Sequence, residues 1–223
     1  KTGSVGTGAG MARRDKVMRL PKVIFAKDVP ELKPYLTDTR KEVYENFLRG
    51  RNALLEGDHG AKLDLTYGDW PVVTSKNTNA CQFLSDCGIG PRYVRDVMMI
   101  MKPYTTMVAK SGVEKLEKVI GDENLVGWAH KEGGEVGTVS GRQRNLGEVE
   151  WDKLQEIVRY EGVTKIAITH MDFPRFNGAT RSDLTPEAED FLAKVSINLT
   201  HEGLKPSIYL LSFGQEVKDE KGI

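Results

Sequence analysis

Five short stretches of this chain carry residue types that could bind anions or nucleotides. The first, Gly3-Ser4-Val5-Gly6-Thr7-Gly8-Ala9-Gly10, precedes Arg13, Arg14, Lys16 and Arg19. Glycines let successive backbone N–H groups turn toward an anion, and a helix N-terminus behind them adds partial positive charge. By pattern alone these residues fit a flexible tail as well. The second, Gly137-Thr138-Val139-Ser140-Gly141-Arg142-Gln143-Arg144, sets two arginines behind a loop of glycines and hydroxyls. Guanidinium groups there can hold carboxylate or phosphate through paired N–H donors, or simply be solvated. The third, Thr169-His170-Met171-Asp172, follows an apolar run. A carboxylate in that position can accept N–H bonds from a nucleotide base or cap the next turn. The fourth, Ser212-Phe213-Gly214, ends the last apolar run, and the fifth is Asp58-His59 between two glycines. A lone Asp-His pair is weak as a catalytic dyad and reads equally as a turn. His130 and His201 read as surface residues. No ligand cluster for a metal, no Gly-x-Ser-x-Gly elbow and no Walker A motif is present.

The elements that must position these residues follow from periodicity and capping signals. A basic helix over 11–19 is expected behind the glycine loop. Residues 20–35 carry three prolines and read as loop, with one strand near 23–26. A helix over 37–49 starts at Thr37 or Asp38. Residues 53–56 read as a short apolar strand leading into the Asp58-His59 turn. Helices are expected over 79–87 and 92–102, with Pro91 at the start of the second. Val94, Val97, Met98 and Met101 would form its core-facing stripe. From Trp151 onward the rhythm is regular: a helix over 151–160, a buried strand over 165–169, a helix over 185–200 and a buried strand over 207–211. The third of these has Thr185 as N-cap, Pro186 in first position and glutamates near the positive end of its dipole. Strands without polar alternation, set between helices, argue for an α/β fold with a mostly parallel central sheet and helices on both faces. In such sheets ligands sit beyond the carboxyl ends of strands. That rule points at the turns after Leu55, Thr169 and Leu211. With no repeat and no low-complexity tract, a single domain over 1–223 is expected.

Composition narrows the function. The 223 residues hold 32 Lys plus Arg and 32 Asp plus Glu, so the formal net charge is zero. That argues against a general nucleic-acid binder and leaves room for a small anionic ligand. No run approaches the roughly 18 apolar residues of a membrane span, and residues 1–10 have no secretory character. Cys81 and Cys87 match neither a disulfide framework nor zinc spacing and read as reduced cytosolic thiols. The chain opens at Lys1 inside a Gly/Ser/Thr stretch and reads as part of a longer protein.

Residues 55–94 bring these pieces together. They read Leu-Glu-Gly-Asp-His-Gly, then Trp-Pro-Val-Val-Thr-Ser, then Gly-Ile-Gly-Pro-Arg-Tyr-Val. This order resembles adenylosuccinate synthetases, which carry Glu-Gly-Ala-Gln-Gly, Tyr-Pro-x-Val-Thr-Ser and Gly-Leu-Gly-Pro-Arg-Tyr-Val. The stretch from Ser4 to Arg19 is similar to that family's phosphate loop and basic helix. Gly137 to Arg144 is similar to its aspartate loop, and Thr169 to Asp172 to its base-reading Thr-Lys-Leu-Asp. The short connection between Arg19 and Leu55 resembles the compact archaeal and bacteriophage branch.

The resemblance implies the P-loop-NTPase-like fold of that family and a ligase reaction. A nucleoside triphosphate, GTP or ATP, phosphorylates the purine 6-oxygen with Mg²⁺, and the amine of L-aspartate displaces the phosphate. It implies that Ser4, Val5, Arg19, His59, Thr74 and Arg142 contact the purine monophosphate, with Arg19 reaching across a homodimer interface. Thr138, Val139, Ser140, Gly141, Arg142 and Arg144 would hold aspartate. Arg144, His170, Met171, Asp172, Ser212, Phe213 and Gly214 would hold the triphosphate nucleotide. A cytoplasmic enzyme is implied, in the host cytoplasm if the source is a bacteriophage, with no nucleic-acid or membrane partner. The family's triphosphate loop, magnesium-binding Asp and catalytic His precede its phosphate loop, so no catalytic residue and no metal ligand is expected in residues 1–223.

Departures from the family pattern cluster around the two bases. His59 stands for a Gln that faces the substrate purine, His170 for a Lys that packs on guanine, and Gln215 for a Pro. Val5 replaces a Thr of the phosphate loop, and Met107 an Arg. A related bacteriophage branch makes 2-aminoadenylosuccinate from dGMP and accepts ATP, and altered base pockets fit it, so both IMP and dGMP stay open. The alternative from the same resemblance is a non-catalytic nucleotide-binding relative.

Overall fold

The computed structural model describes residues 6–108, 116–214 and 220–222; Ser4, Val5 and Gln215 lie outside them. The chain packs as two units, Lys1–Val94 and Arg95–Ile223.

In Lys1–Val94, helices α1 (Ala9–Val17), α2 (Thr39–Leu48) and α3 (Ala80–Cys87) are joined by short 3₁₀ turns. Each of the last two starts where the sequence supplies a cap. Asp38 accepts the Lys41 N–H, and Asn79 accepts the Gln82 N–H. The basic helix starts and stops two residues earlier than the 11–19 reading, because Gly8 takes the N-cap position. The expected strands near 23–26 and 53–56 do not form. The first falls where 3₁₀ turns cover Ala26–Asp28 and Pro30–Tyr35, among prolines that have no N–H to give a ladder. The second has no partner strand, and Leu54 is 88% exposed. Asp64 is the one buried residue among those described in this unit. Its carboxylate accepts backbone N–H groups from Thr66 at 2.8 Å, Tyr67 at 3.0 Å and Thr78 at 2.6 Å. Burial by itself would raise its pKa, but these three donors hold it below the usual aspartate range.

Arg95–Ile223 contains the sheet. Strands β1 (Met98–Met101), β4 (Lys165–Ile168) and β5 (Ser207–Ser212) run parallel in the order β1-β4-β5, and β6 (Glu220–Gly222) closes the edge antiparallel. A second, two-stranded sheet pairs β2 (Thr105–Val108) with β3 (Arg144–Gly147), Thr106 opposite Leu146. Helices α4 (Glu123–Lys131), α5 (Trp151–Glu161) and α6 (Pro186–Asn198) supply the covering apolar faces. Ala188, Phe191, Val195 and Leu199 recur at helical spacing along and just past α6, and all are buried in one cluster with Ile166, Ile168 and Leu211. Burying each of the larger side chains stabilises the unit by about 1.5–3 kcal/mol. Asp122 and Thr185 cap α4 and α6. No helix among the described residues is long and apolar enough to cross a membrane.

Two expectations change here. Residues 92–102 are not a helix: a 3₁₀ turn at Pro91–Tyr93 gives way to β1, where Met99 and Met101 are buried and Met98 and Ile100 are exposed. Pairing with β4 selects the strand, overriding a methionine spacing that suits a helix. β5 is also less buried than expected; only Leu211 along it is fully enclosed. It carries a bulge against β4: Ile166 pairs with Ile208 and Ala167 with Leu210, leaving Tyr209 as the extra residue. That odd count lets Ile208 and Leu211, three residues apart, both reach the core.

Candidate functional site

In Lys1–Val94 the candidate residues sit on turns. Asp58 receives the Lys76 ammonium at 2.6 Å on one oxygen and faces His59 Nδ1 at 2.8 Å with the other. The hydrogen bond from Lys76 is the main reason the Asp58 carboxyl stays below its usual range. A carboxylate only accepts, so Nδ1 of His59 carries a proton toward Asp58, and in the neutral ring Nε2 is the acceptor. Gly57 beneath this turn lies under the Phe83 ring, which leaves no room for a side chain. Thr74 is half-buried, and its N–H donates to Leu63 at 2.8 Å. Gly10 in the first turn of α1 packs against Ser75; a methyl group there would come within 3.4 Å of Ser75 Cβ. The start of α1 and the Thr74-Ser75 segment are therefore neighbours. Arg19 stands two residues past the end of α1.

In Arg95–Ile223 the carboxyl ends of the strands converge on one buried carboxylate. Glu135 is 1% exposed. Its Oε1 accepts from Lys102 Nζ at 2.5 Å and from the Tyr104 hydroxyl at 3.0 Å, and its Oε2 accepts from Arg144 Nη1 at 2.9 Å. Desolvation works to raise its pKa, but the Lys102 charge and the hydrogen bonds from Lys102, Arg144 and Tyr104 prevail and keep it low. Burial, followed by the Glu135 charge, pushes the Tyr104 phenol well up, so it acts as a donor only. His170, just beyond β4, donates Nε2–H to the Gly133 carbonyl at 3.1 Å and places Nδ1 2.9 Å from the Thr169 hydroxyl. Its ring meets Tyr104 and Trp128 edge-on at 5.7 and 6.5 Å between centroids. Burial first, then the Lys102 charge, lowers its pKa, so the ring is neutral near pH 7. The His170 imidazole is thus turned into the protein and held there.

The Gly137–Arg142 loop is a tight hairpin. Val136 bridges Gln143, Gly137 N–H donates to the Arg142 carbonyl at 2.9 Å, and Gly141 N–H donates to the Gly137 carbonyl at 2.7 Å. Gly141 takes φ 64°, a left-handed turn that glycine adopts without cost. Thr138, Val139, Ser140 and Arg142 are all exposed at its tip. Arg144, at the foot, begins β3 and is half-buried. Met107 lies on β2 opposite Asn145. Asp172 is half-buried, and its charge acts on both Tyr104 and His170. Met171 and Phe213 are buried, so a ligand beside them meets backbone rather than side chain. Met171 N–H donates to the Ser212 carbonyl at 2.9 Å, which draws the ends of β4 and β5 together as the parallel-sheet reading expects.

Backbone strain marks several of the same positions. Five non-glycine residues among those described have left-handed φ, and three are candidate site residues: Arg19 at 54°, His59 at 72° and His170 at 62°. Such conformations cost about 1–3 kcal/mol each and concentrate at ligand sites. Sequence reasoning missed Lys102, Tyr104 and Glu135. A strand reading of residues 98–101 would have placed Lys102 at a carboxyl end; nothing local marks Glu135. Sequence reasoning also placed His130 and His201 on the surface. Both are half-buried, and His130 Nε2 donates to the Arg144 carbonyl at 2.9 Å.

The family profile described as adenylosuccinate synthetase matches residues 19–176. An adenylosuccinate synthetase of Archaeoglobus fulgidus is 38% identical over 225 residues, covering 98% of this chain and 62% of its own length. That of Methanococcus maripaludis is 40% identical over 170 residues, covering 76% of this chain and 48% of its own. The chain thus spans about half to three-fifths of the curated relatives it matches. Among solved structures, the fully ligated adenylosuccinate synthetase of Plasmodium falciparum superposes with TM-score 0.73 at 16% identity, over 96% of this chain and 61% of that one. The cyanophage S-2L succinoaminodeoxyadenylate synthetase, bound to dGMP and dATP as an energy donor, gives TM-score 0.69 at 19% identity, over 97% and 60%. Identities that low carry the fold alone. The family profile and the sequence relatives carry more: the chain belongs to the adenylosuccinate synthetase family.

Proposed function

We propose that the protein containing this chain is a purine nucleotide ligase joining L-aspartate to carbon 6 of a 6-oxopurine monophosphate, IMP or dGMP, at the expense of GTP or ATP. The observation that carries this reading is the hairpin at Gly137–Arg142, which presents Arg142 at an exposed tip beside an anchored Arg144. An amide-like oxygen leaves poorly, so the purine 6-oxygen first attacks the terminal phosphorus of the triphosphate and the diphosphate departs. The aspartate amine then attacks carbon 6, the C6–O bond breaks, inorganic phosphate leaves and the amine loses a proton. Arg142, with Thr138, Val139, Ser140 and Gly141, binds the aspartate carboxylates through paired donors. By the family resemblance, Ser4, Val5, Thr74 and Arg142 are each assigned to the monophosphate, and His59 to its base. Arg19 serves the monophosphate of a second copy in a homodimer. Arg144 lies between aspartate and the triphosphate, while Asp172, the backbone around His170 and Met171, and the Ser212, Phe213 and Gly214 turn hold the triphosphate's base. Magnesium would neutralise phosphate charge in phosphoryl transfer. Among the described residues no group of three or more His, Cys, Asp or Glu could hold it, so no residue named here is given that task.

The test is to incubate full-length protein with aspartate, Mg²⁺ and each pairing of IMP or dGMP with GTP or ATP, following the succino-purine absorbance. Product with one pairing names the substrates; no product with any pairing refutes the reading. Arg142→Leu is expected to raise the aspartate KM by about a hundredfold, as loss of a bidentate charged contact does, while nucleotide KM values move far less. Equal losses would remove Arg142 from the aspartate site.

A further inference from the structure

The Glu135 carboxylate does more than neutralise charge. Its own backbone closes the foot of the aspartate hairpin: Arg144 N–H donates to the Glu135 carbonyl at 3.1 Å, next to the Val136–Gln143 bridge and the Gly137–Arg142 bond. Its side chain grips the same Arg144 through Nη1 and ties the pair to Lys102 at the end of β1. Glu135 N–H in turn donates to Ala129 in α4 at 2.8 Å, and His130 of that helix holds the Arg144 carbonyl. Arg144 is therefore gripped by main chain and side chain at once, two residues from Arg142. Among the described residues no protein acceptor takes Arg144 Nε or Nη2, and its side chain is 37% exposed, so donors remain for a ligand.

We infer that Glu135 is a positioning residue: its buried carboxylate fixes the foot of the Gly137–Arg142 hairpin and so sets where Arg142 and Arg144 present their guanidinium groups to the aspartate carboxylates. The inference rests on the ligase reading above. Glu135 touches no substrate. It acts by holding two residues that do, and a small loss of register at a hairpin foot is amplified at its tip. Bidentate recognition tolerates little misplacement, so the effect belongs to the substrate held by the tip.

Glu135→Gln keeps the shape and removes the charge; Glu135→Asp keeps the charge and shortens the reach. Both are measured in the full-length protein in two ways. Hydrogen exchange at the Gly137 and Gly141 amides, without any substrate, reads the hairpin. Steady-state kinetics reads KM for aspartate and for each nucleotide separately, together with kcat. In Glu135→Gln the two amides are expected to exchange about tenfold faster. The aspartate KM rises about tenfold, more than either nucleotide KM. Glu135→Asp recovers part of both effects and supplies the reading if Glu135→Gln does not fold. Unchanged exchange at Gly137 and Gly141 in both variants overturns the inference, and so does an equal rise in all KM values. If wild-type protein makes no succino product, the ligase reading fails by itself, and the exchange result still decides whether Glu135 holds the hairpin.

Discussion

The Arg95–Ile223 unit holds Lys102 and His170 one and two positions beyond strands that are backed by a hydrophobic core. In Lys1–Val94 the corresponding residues hang on turns joined by polar bonds. His170 follows β4 and Lys102 follows β1, each behind buried residues such as Ile168 and Met101. His59 and Thr74, by contrast, lie on a segment whose one buried side chain is the carboxylate of Asp64. Core packing is non-directional and spread over many residues, whereas a carboxylate with three N–H donors is directional and concentrated in one. The two regions should therefore fail differently.

The largest difference is expected from apolar truncation. Leu211→Ala, at a fully enclosed position, should cost about 2–5 kcal/mol, whereas Leu54→Ala should stay within about 0.5 kcal/mol. Denaturant melts of the two variants check this, and similar losses would erase the contrast. Next in size is Asp64→Ala, which strands three backbone donors and should cost about 1–3 kcal/mol. Hydrogen exchange should place that loss at Thr66, Tyr67 and Thr78 and leave β4 protected; loosening throughout Arg95–Ile223 would show that the two units share one fate.

Acid gives the subtlest test. His170 has its folded pKa pushed below the usual imidazole value by burial. Between the two values the unfolded chain binds more protons, so this stability is complete above about pH 6.5 and is lost as pH falls below it. Glu135 follows with the same sign below about pH 4.3, and Asp58 and Asp64 below about pH 3.9. Between about pH 7 and 5, then, amides of β4 should lose protection while those bonded to Asp64 keep theirs. His170→Gln should abolish that limb, and its persistence in the variant would assign it to another group.

The same contrast explains what could be read in the sequence. Helices α5 and α6 and strand β4 are legible because a core imposes periodicity, and Thr185 and Pro186 mark a start that depends on neighbours alone. β1 misled because methionine has no strong strand preference, and its state was settled by Lys165 to Ile168, more than sixty residues on. In Lys1–Val94 little core exists to print a pattern, so the strands expected near 23–26 and 53–56 were apolar runs without partners. What could be read there was the order of family motifs. Glu135 escaped both routes. It is a single glutamate whose meaning lies in Lys102, thirty-three positions away, and in Arg144 across the hairpin.

The extra residue in β5 has a consequence for how this sheet can change. Side chains along a strand alternate, so a count that is off by one reverses every face beyond it. Tyr209 supplies such a count just ahead of Leu211 and Ser212. Deleting it would restore a plain ladder in which Ile208 and Leu211, then two positions apart, still share the core face; keeping it while the ladder ran straight would turn Leu211 out of the core. For this strand, length is a form of specificity: substitutions at its end can retune what the turn touches, but one further residue absorbed into the ladder without a bulge would exchange the two faces beyond it.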